Sequence, residues 1–294
     1  MPWVSRPLDP CTTVDVSAGS RPDLDEPTGW LASLGLGFEP RGGRTVLTHR
    51  RHRGPLTVQR PFYPEGGVCH LYLLHPPGGI VGGDGLEVAV EIADGAHALL
   101  TTPGAAKLYR SAGPRATLHQ RLRICNGAVL EWLPQENILF PGARVDMRTE
   151  VELTGDGRFI GWEMHCFGRP AVGERFACGS ADLRLRLHRN GKPLLLERLR
   201  AEEAQSGLSA LRGYPLCATL IASGASADDL EAVREGLPAP EGTPLGVTLV
   251  EDLLIARGLG HAVEPLRRFL ITVWGILRPR LLGRPACPPR IWAT

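Results

Sequence analysis

HPPGGIVGGDGLEVAVEI, residues 75–92, sets two patterns side by side. Its first eleven residues hold five glycines, two prolines and one carboxylate, Asp84. That composition marks a compact loop, in which glycine lets backbones approach closely and adopt positive φ. The last seven residues alternate: Leu86, Val88, Val90 and Ile92 point one way, and Glu87, Ala89 and Glu91 point the other. A period of two with one apolar face predicts a strand half buried against a core.

The same pattern recurs outward from this stretch. In TLHQRLRI, Leu118, Gln120, Leu122 and Ile124 oppose His119, Arg121 and Arg123; in DLRLRLHR, Leu183, Leu185 and Leu187 oppose Arg184, Arg186 and His188. VCHLYLLH, AHALLTT, RTEVEL and RFIGWEMH add further strands, with turn signals at Asp94-Gly95, Pro103-Gly104, Asn126-Gly127, Asp156-Gly157 and Asn190-Gly191. Many short strands at regular spacing predict a mainly β architecture. Helices are few and late. SADDLEAVREGL starts with Ser226 and Asp229 in a capping-box arrangement and ends at Gly236. In HAVEPLRRFLITVWGILR, Leu266, Phe269, Leu270, Val273, Trp274 and Leu277 form one apolar stripe, with Pro265 in the first turn and Pro279 expected just past the end. No repeat of fixed period and no linker divides the ordered part. The expectation is therefore a flexible leader over residues 1–28 and a single β-rich domain over 29–294.

Composition narrows the function classes. The 294 residues include 36 glycines and 26 prolines, which suits many short elements and turns. With 33 basic and 31 acidic residues the chain makes no case for nucleic acid or an anionic membrane. The first twenty residues hold no apolar signal core, and no run is long enough to span a bilayer, so a cytoplasmic protein is expected. Seven cysteines without a C-x-x-C pair point to reduced thiols rather than a disulfide framework or zinc knuckle.

Enzyme motifs fail on mechanics. Gly191-Lys192 runs into Pro193, so it is no phosphate-binding loop, and the glycines of residues 78–85 precede a strand where a dinucleotide site needs a helix. There is no G-x-S-x-G, and the neighbours Cys69-His70 and His165-Cys166 would face opposite sides of a strand. A metal-dependent hydrolase would need a fixed His/carboxylate cluster, which the spacing does not supply. His49 and His52 lie in a basic run, while Asp84, Glu131, Glu136, Glu163, Glu174 and Glu197 sit inside or beside apolar segments. A carboxylate so placed, if buried, must be paired, protonated or facing a polar cavity. The simple pairing is a salt bridge to an arginine; the alternative is an oxygen-lined path that holds a cation only in passing.

Seven separated motifs add a resemblance: GPLTVQRPFYPEG (54–66), HPPGGIVGGDGL (75–86), GAHALLTTPGAAKLYRS (95–111), LEWLPQENILFPGA (130–143), GWE with GRPAVGERF (161–176), ERLR (197–200) and LLGRPACPPRIWAT (281–294). In this order they resemble the UreD (UreH) family of urease accessory proteins, from about Gly29 to the end of the chain. The resemblance implies stacked β-sheets with solenoid-like character and two helices in the C-terminal third. It implies a maturation factor, not an enzyme, that binds apo-urease and recruits UreF and the GTPase UreG for nickel insertion. No tightly bound cofactor is implied, only transient nickel(II) in an internal water-filled passage. On that reading Asp84, Glu163 and Glu197 are wayside ligands, and Lys107, Tyr109 and Arg110 present a docking surface for UreF or urease. Ala106, His165 and Cys166 depart from the commoner family residues. The rival expectation is a β-rich protein-binding scaffold unrelated to urease.

Overall fold

The computed structural model describes residues 29–202, 211–237 and 243–293. The expected leader, residues 1–28, lies outside the described residues. Two stacked β-sheets carry the chain. The first has seven strands in the order Lys192–Glu202, Ser180–Arg189, Arg144–Leu153, Ala116–Ile124, Gly85–Ile92, Leu31–Arg41 and Arg44–Arg53. Its five inner strands run parallel, and a hairpin partner closes each edge. The second sheet runs Leu245–Val250, Leu253–Gly260, Leu216–Ser223, Arg158–Arg169, Val129–Leu133, His97–Thr101, Cys69–Leu74 and Thr57–Val58.

The parallel pairing follows from how the chain coils. It passes from Gly85–Ile92 in the first sheet to His97–Thr101 in the second, back to Ala116–Ile124, on to Val129–Leu133, then to Arg144–Leu153 and Arg158–Arg169. Each coil lays its strands beside those of the one before. Short strands at Ala106–Leu108 and Asn137–Leu139 pair along a third side. The turn signals mark the sheet-to-sheet corners, and they bond one another. Asp94 Oδ1 accepts from the Asn126 N–H at 3.0 Å, Asp156 Oδ1 from the Gly127 N–H at 2.5 Å, and Asn190 Oδ1 from the Gly155 N–H at 3.0 Å. A short turn signal serves a hairpin or a corner equally well. Asn190-Gly191 makes the hairpin between Ser180–Arg189 and Lys192–Glu202; Asp94-Gly95 and Asn126-Gly127 make corners.

Alternation decides what is buried. Leu86, Val90 and Ile92 are buried and Glu87, Ala89 and Glu91 exposed, as the opening stretch predicts. Register stacks Ile92 beside Ile124 and Ile124 beside Leu153, all fully buried between the sheets. Each such side chain contributes roughly 1.5–3 kcal/mol. The second sheet is apolar on both faces. Along Arg158–Arg169, Phe159 and Phe167 enter the inter-sheet core, whereas Ile160, Trp162, Met164 and Cys166 enter a second core beneath the helices.

Helix α1 (Ala227–Gly236) and helix α2 (Val263–Leu282) cover that outer face. The capping box forms as expected: Ser226 Oγ accepts from the Asp229 N–H at 3.3 Å, and Asp229 Oδ2 accepts from the Ser226 N–H at 2.9 Å. Asp229 Oδ1 also accepts from Arg280 Nε at 2.6 Å, tying α1 to α2. Ser226→Ala is therefore expected to cost about 1 kcal/mol of stability, read as a lower urea midpoint at unchanged slope. The end of α2 differs from the expectation. Pro279 lies inside the helix, which continues to Leu282 and stops at Gly283 in the left-handed region. A proline in the last turn forfeits one backbone bond without forcing the chain out. Cys69, Cys125, Cys166, Cys217 and Cys287 are free thiols, but Cys178 is disulfide-bonded, so the expectation of reduced thiols fails for it.

Candidate functional site

Strand register assembles a polar seam inside the apolar sandwich. Gln120, Thr149, Leu185 and Glu197 fall in one row across the first sheet. Glu163, Thr219 and Arg257 fall in one row across the second. The rows face each other, since Thr149 Oγ1 donates to Glu163 Oε1 at 2.5 Å and Arg257 donates to Glu197. Two residues along from Glu163 on the same face, His165 places Nε2 3.4 Å from Glu163 Oε2, and Asn137 Nδ2 lies 3.4 Å from His165 Nδ1. A cavity of about 270 Å³ opens onto this seam, lined by Glu163, Gln120, Asn137 and Gln135, with Lys107 and His75 also in its wall. The buried Gln120 Oε1 takes no hydrogen bond from any described residue. Burial and the Glu163 carboxylate push the neighbouring Cys217 thiol up to about 12, so it offers no thiolate at neutral pH. The metal-type donors lining the cavity are thus oxygens and the imidazoles of His75 and His119. A larger trough of about 620 Å³, lined by Gly35, His49, Arg121 and Glu150 among others, lies open to solvent away from these groups.

The structure brings Glu163 and Glu197 onto this seam, each on a strand as expected, and gives Asp84 another occupation. Asp84 is buried, but Oδ2 accepts from the Val81 N–H at 2.9 Å and Oδ1 from the Trp30 N–H at 3.2 Å. It does not line the cavity. Its field reaches His75, where it opposes the burial that holds that imidazole below its ordinary value. The glycines around it serve packing. A Cβ at Gly79 would lie 2.0 Å from Tyr109 Cε2, and Gly83 has φ of 93°. Against that bare backbone Tyr109 leans on Phe140 with centroids 4.8 Å apart, while Lys107 and Arg110 stay exposed beside it. The Arg169 guanidinium covers Phe140 at 4.9 Å, and Val172 is exposed nearby in sequence, giving a basic and aromatic face.

The arginine pairing accounts for four of the remaining carboxylates. Glu136 meets Arg267 at 2.8 Å, Glu174 meets Arg169, Glu197 meets Arg257, and Glu131 meets Arg278. Glu163 instead has Thr149 and His165. His49 and His52 sit on the exposed edge strand Arg44–Arg53 and join no cluster of three ligand-type side chains among the described residues.

Sequence reasoning did not find the network around Glu131. Both Glu131 and Arg278 are fully buried. Arg278 Nε donates to Glu131 Oε2 at 2.9 Å and Nη2 to Oε1 at 3.0 Å; Trp274 Nε1 donates to Oε2 at 2.7 Å, and His97 Nε2 lies 2.8 Å from Oε1. Arg278 Nη2 also reaches Glu65 Oε1 at 2.5 Å, and its Nη1 donates to the Pro285 carbonyl. One signal was present: position 278 follows Trp274 by one helical step, so the apolar stripe of α2 continues into an arginine.

The described residues thus form a coiled two-sheet scaffold with a polar seam and an aromatic-basic face. The family model described as "UreD urease accessory protein" matches residues 31–293. A urease accessory protein UreD of Azoarcus sp. (strain BH72) is 53% identical over 272 residues, 90% of this chain and 95% of its own length. Those of Alcanivorax borkumensis and Pseudomonas putida (strain W619) are 47% and 52% identical, each over 90% of this chain and 93% and 95% of their own lengths. The chain belongs to the UreD family of urease accessory proteins. Its role is in urease maturation and it is not itself an enzyme. None of the described helices is long and apolar enough to cross a membrane.

Proposed function

We propose that the chain works in the cytoplasm by holding apo-urease together with UreF and UreG, and that nickel(II) crosses it along the inter-sheet seam toward the urease active site. The observation that carries this reading is the pair of facing polar rows, Gln120, Thr149 and Glu197 against Glu163, Thr219 and Arg257, between two sheets whose facing sides are otherwise mostly apolar. Thr149 is buried, Gln120, Glu163, Glu197 and Thr219 are half-buried, and Arg257 is exposed where the seam meets the surface. Polar groups drawn away from solvent work against stability unless each is bonded, so a purely structural core has no use for them. Carboxylate, hydroxyl and amide oxygens suit transfer because they hold a divalent ion weakly enough to release it. Glu163 is the group best placed to receive the ion, and Glu197, covered by Arg257, offers the next carboxylate once the guanidinium swings aside. Lys107, Tyr109 and Arg110 form part of the face offered to a protein partner.

The test uses Glu163→Gln and Glu197→Gln in cells carrying a complete urease operon. Nickel per urease and urease activity should fall about tenfold for Glu163→Gln, a loss comparable to removing a metal-site partner, and less for Glu197→Gln. The complex with UreF should purify in unchanged yield. Normal nickel loading in both variants would sink the passage and leave a docking scaffold.

A further inference from the structure

We propose that Glu65, His70 and Cys287 form a site for a borderline divalent transition-metal ion, zinc(II) or nickel(II), which fastens the C-terminal tail to the second sheet. Their ligand atoms all lie within 4.8 Å of one another, and this is the one such group among the described residues. The three come from separate places: the loop before Cys69–Leu74, that strand itself, and the tail beyond α2. Cys69 and Leu71 enter the inter-sheet core, so His70 between them points to the α2 side, away from the seam. The site is thus distinct from the proposed nickel passage and does not depend on it.

The donor set is chemically selective. Oxygen, imidazole nitrogen and thiolate sulfur together suit zinc(II) and nickel(II), whereas calcium and magnesium take oxygen alone. The groups are also held from behind. Arg278 Nη2 fixes Glu65 Oε1 at 2.5 Å, and its Nη1 binds the Pro285 carbonyl two residues before Cys287. His70 is fully buried; Nε2 lies 2.7 Å from Glu65 Oε1, and Nδ1 has no partner among the described residues.

Charge supplies the second argument. Two carboxylates, Glu65 and Glu131, face the single guanidinium of Arg278, so a divalent cation enters a cluster in which carboxylates outnumber guanidinium groups. On binding, the ion displaces the Cys287 thiol proton to solvent. Arg278 does not repel the ion unopposed, because Glu131 takes the guanidinium on both oxygens at about 3 Å. The alternative is a cluster that takes no metal ion.

Cobalt(II) titrated into the full-length chain, followed by competition with zinc(II) and with nickel(II), separates the two. The expected result is one cobalt per chain with a near-ultraviolet thiolate-to-metal charge-transfer band, displaced by either competitor. Cys287→Ser should abolish the band and weaken binding by about ten- to a hundredfold, while Cys217→Ser keeps both. No band in the native chain, or an undiminished band in Cys287→Ser, would overturn the site. Should Cys287→Ser fail to fold, the alkylation rate of Cys287 in the native chain decides between the same two outcomes. A metal-dependent slowing supports the site, and an unchanged rate rejects it.

Discussion

Replacing Glu131 by alanine is expected to lower the unfolding free energy by about 3–5 kcal/mol, enough to abolish a folded population in a marginal chain. The cost does not come from the ion pair's net contribution, which desolvation largely cancels. It comes from what is left behind: a guanidinium with no exposed surface whose Nε loses its acceptor and which keeps only Glu65 and the Pro285 carbonyl, and Trp274 Nε1 without its acceptor. Removing both charges at once, as in Glu131→Leu with Arg278→Met, should recover part of the loss, because Glu65 then keeps His70 but loses its guanidinium partner. That recovery is the decisive outcome, measured by urea denaturation or, where the single variant does not accumulate, by soluble yield. Equal losses in the single and double variants would show that packing, not the stranded charge, sets the cost.

The same cluster fixes how stability responds to acid. Burial alone would raise the Glu65 carboxyl, but hydrogen bonds from His70 and Arg278 outweigh it and bring it from 4.5 to about 2. Glu131 is held low in the same way, chiefly by His97 and Arg278 acting against burial. Folded values below the unfolded ones mean stability that is fully present above pH 4.5 and is lost as pH falls toward 2. Since Arg278 also holds the Pro285 carbonyl, the tail should detach in that window. Trp292 reports it, because its ring packs 5.7 Å from that of Trp274 and its Nε1 donates to Thr101 Oγ1 at 3.1 Å. A change in tryptophan emission over this range is the expected signal.

What the sequence discloses about this molecule depends on the range of the interaction. Alternation in LEVAVEI, TLHQRLRI and DLRLRLHR is a property of neighbours, and each stretch is a strand with the predicted face inward. The capping box of α1 and the stripe of α2 are equally local. Topology is not. Parallel pairing places Val88 beside Gln120, Gln120 beside Thr149 and Leu185 beside Thr149, and nothing in the strands themselves specifies those partners. Thr219 and Arg257 were invisible as seam residues for that reason. Each reads as an ordinary strand position until register aligns it with Glu163. Glu163 and Glu197 were legible as unusual carboxylates from their apolar neighbours. That Glu197 faces Arg257 and Glu163 faces Thr149 required the fold.

Asp84→Ala is expected to lower stability by about 2–4 kcal/mol, because two charge-assisted hydrogen bonds are lost at a buried carboxylate. The bonds join Trp30, just ahead of the first strand, to Val81 within the glycine-rich turn. Both side chains are largely exposed, so neither residue is anchored by its own burial. Solvent can reach the freed amides in part, which places the loss toward the lower end. Asp84→Asn keeps one acceptor oxygen and should cost about half as much. Hydrogen exchange at the Trp30 and Val81 amides gives the direct readout, with protection lost in Asp84→Ala and partly kept in Asp84→Asn. Nickel loading distinguishes this fastening role from a ligand's. If Asp84 holds the loop, urease matured with Asp84→Ala should contain normal nickel per intact complex, though less complex forms. Reduced nickel at unchanged stability would instead make Asp84 a metal ligand, and would require its carboxylate to leave both amides while an ion passes.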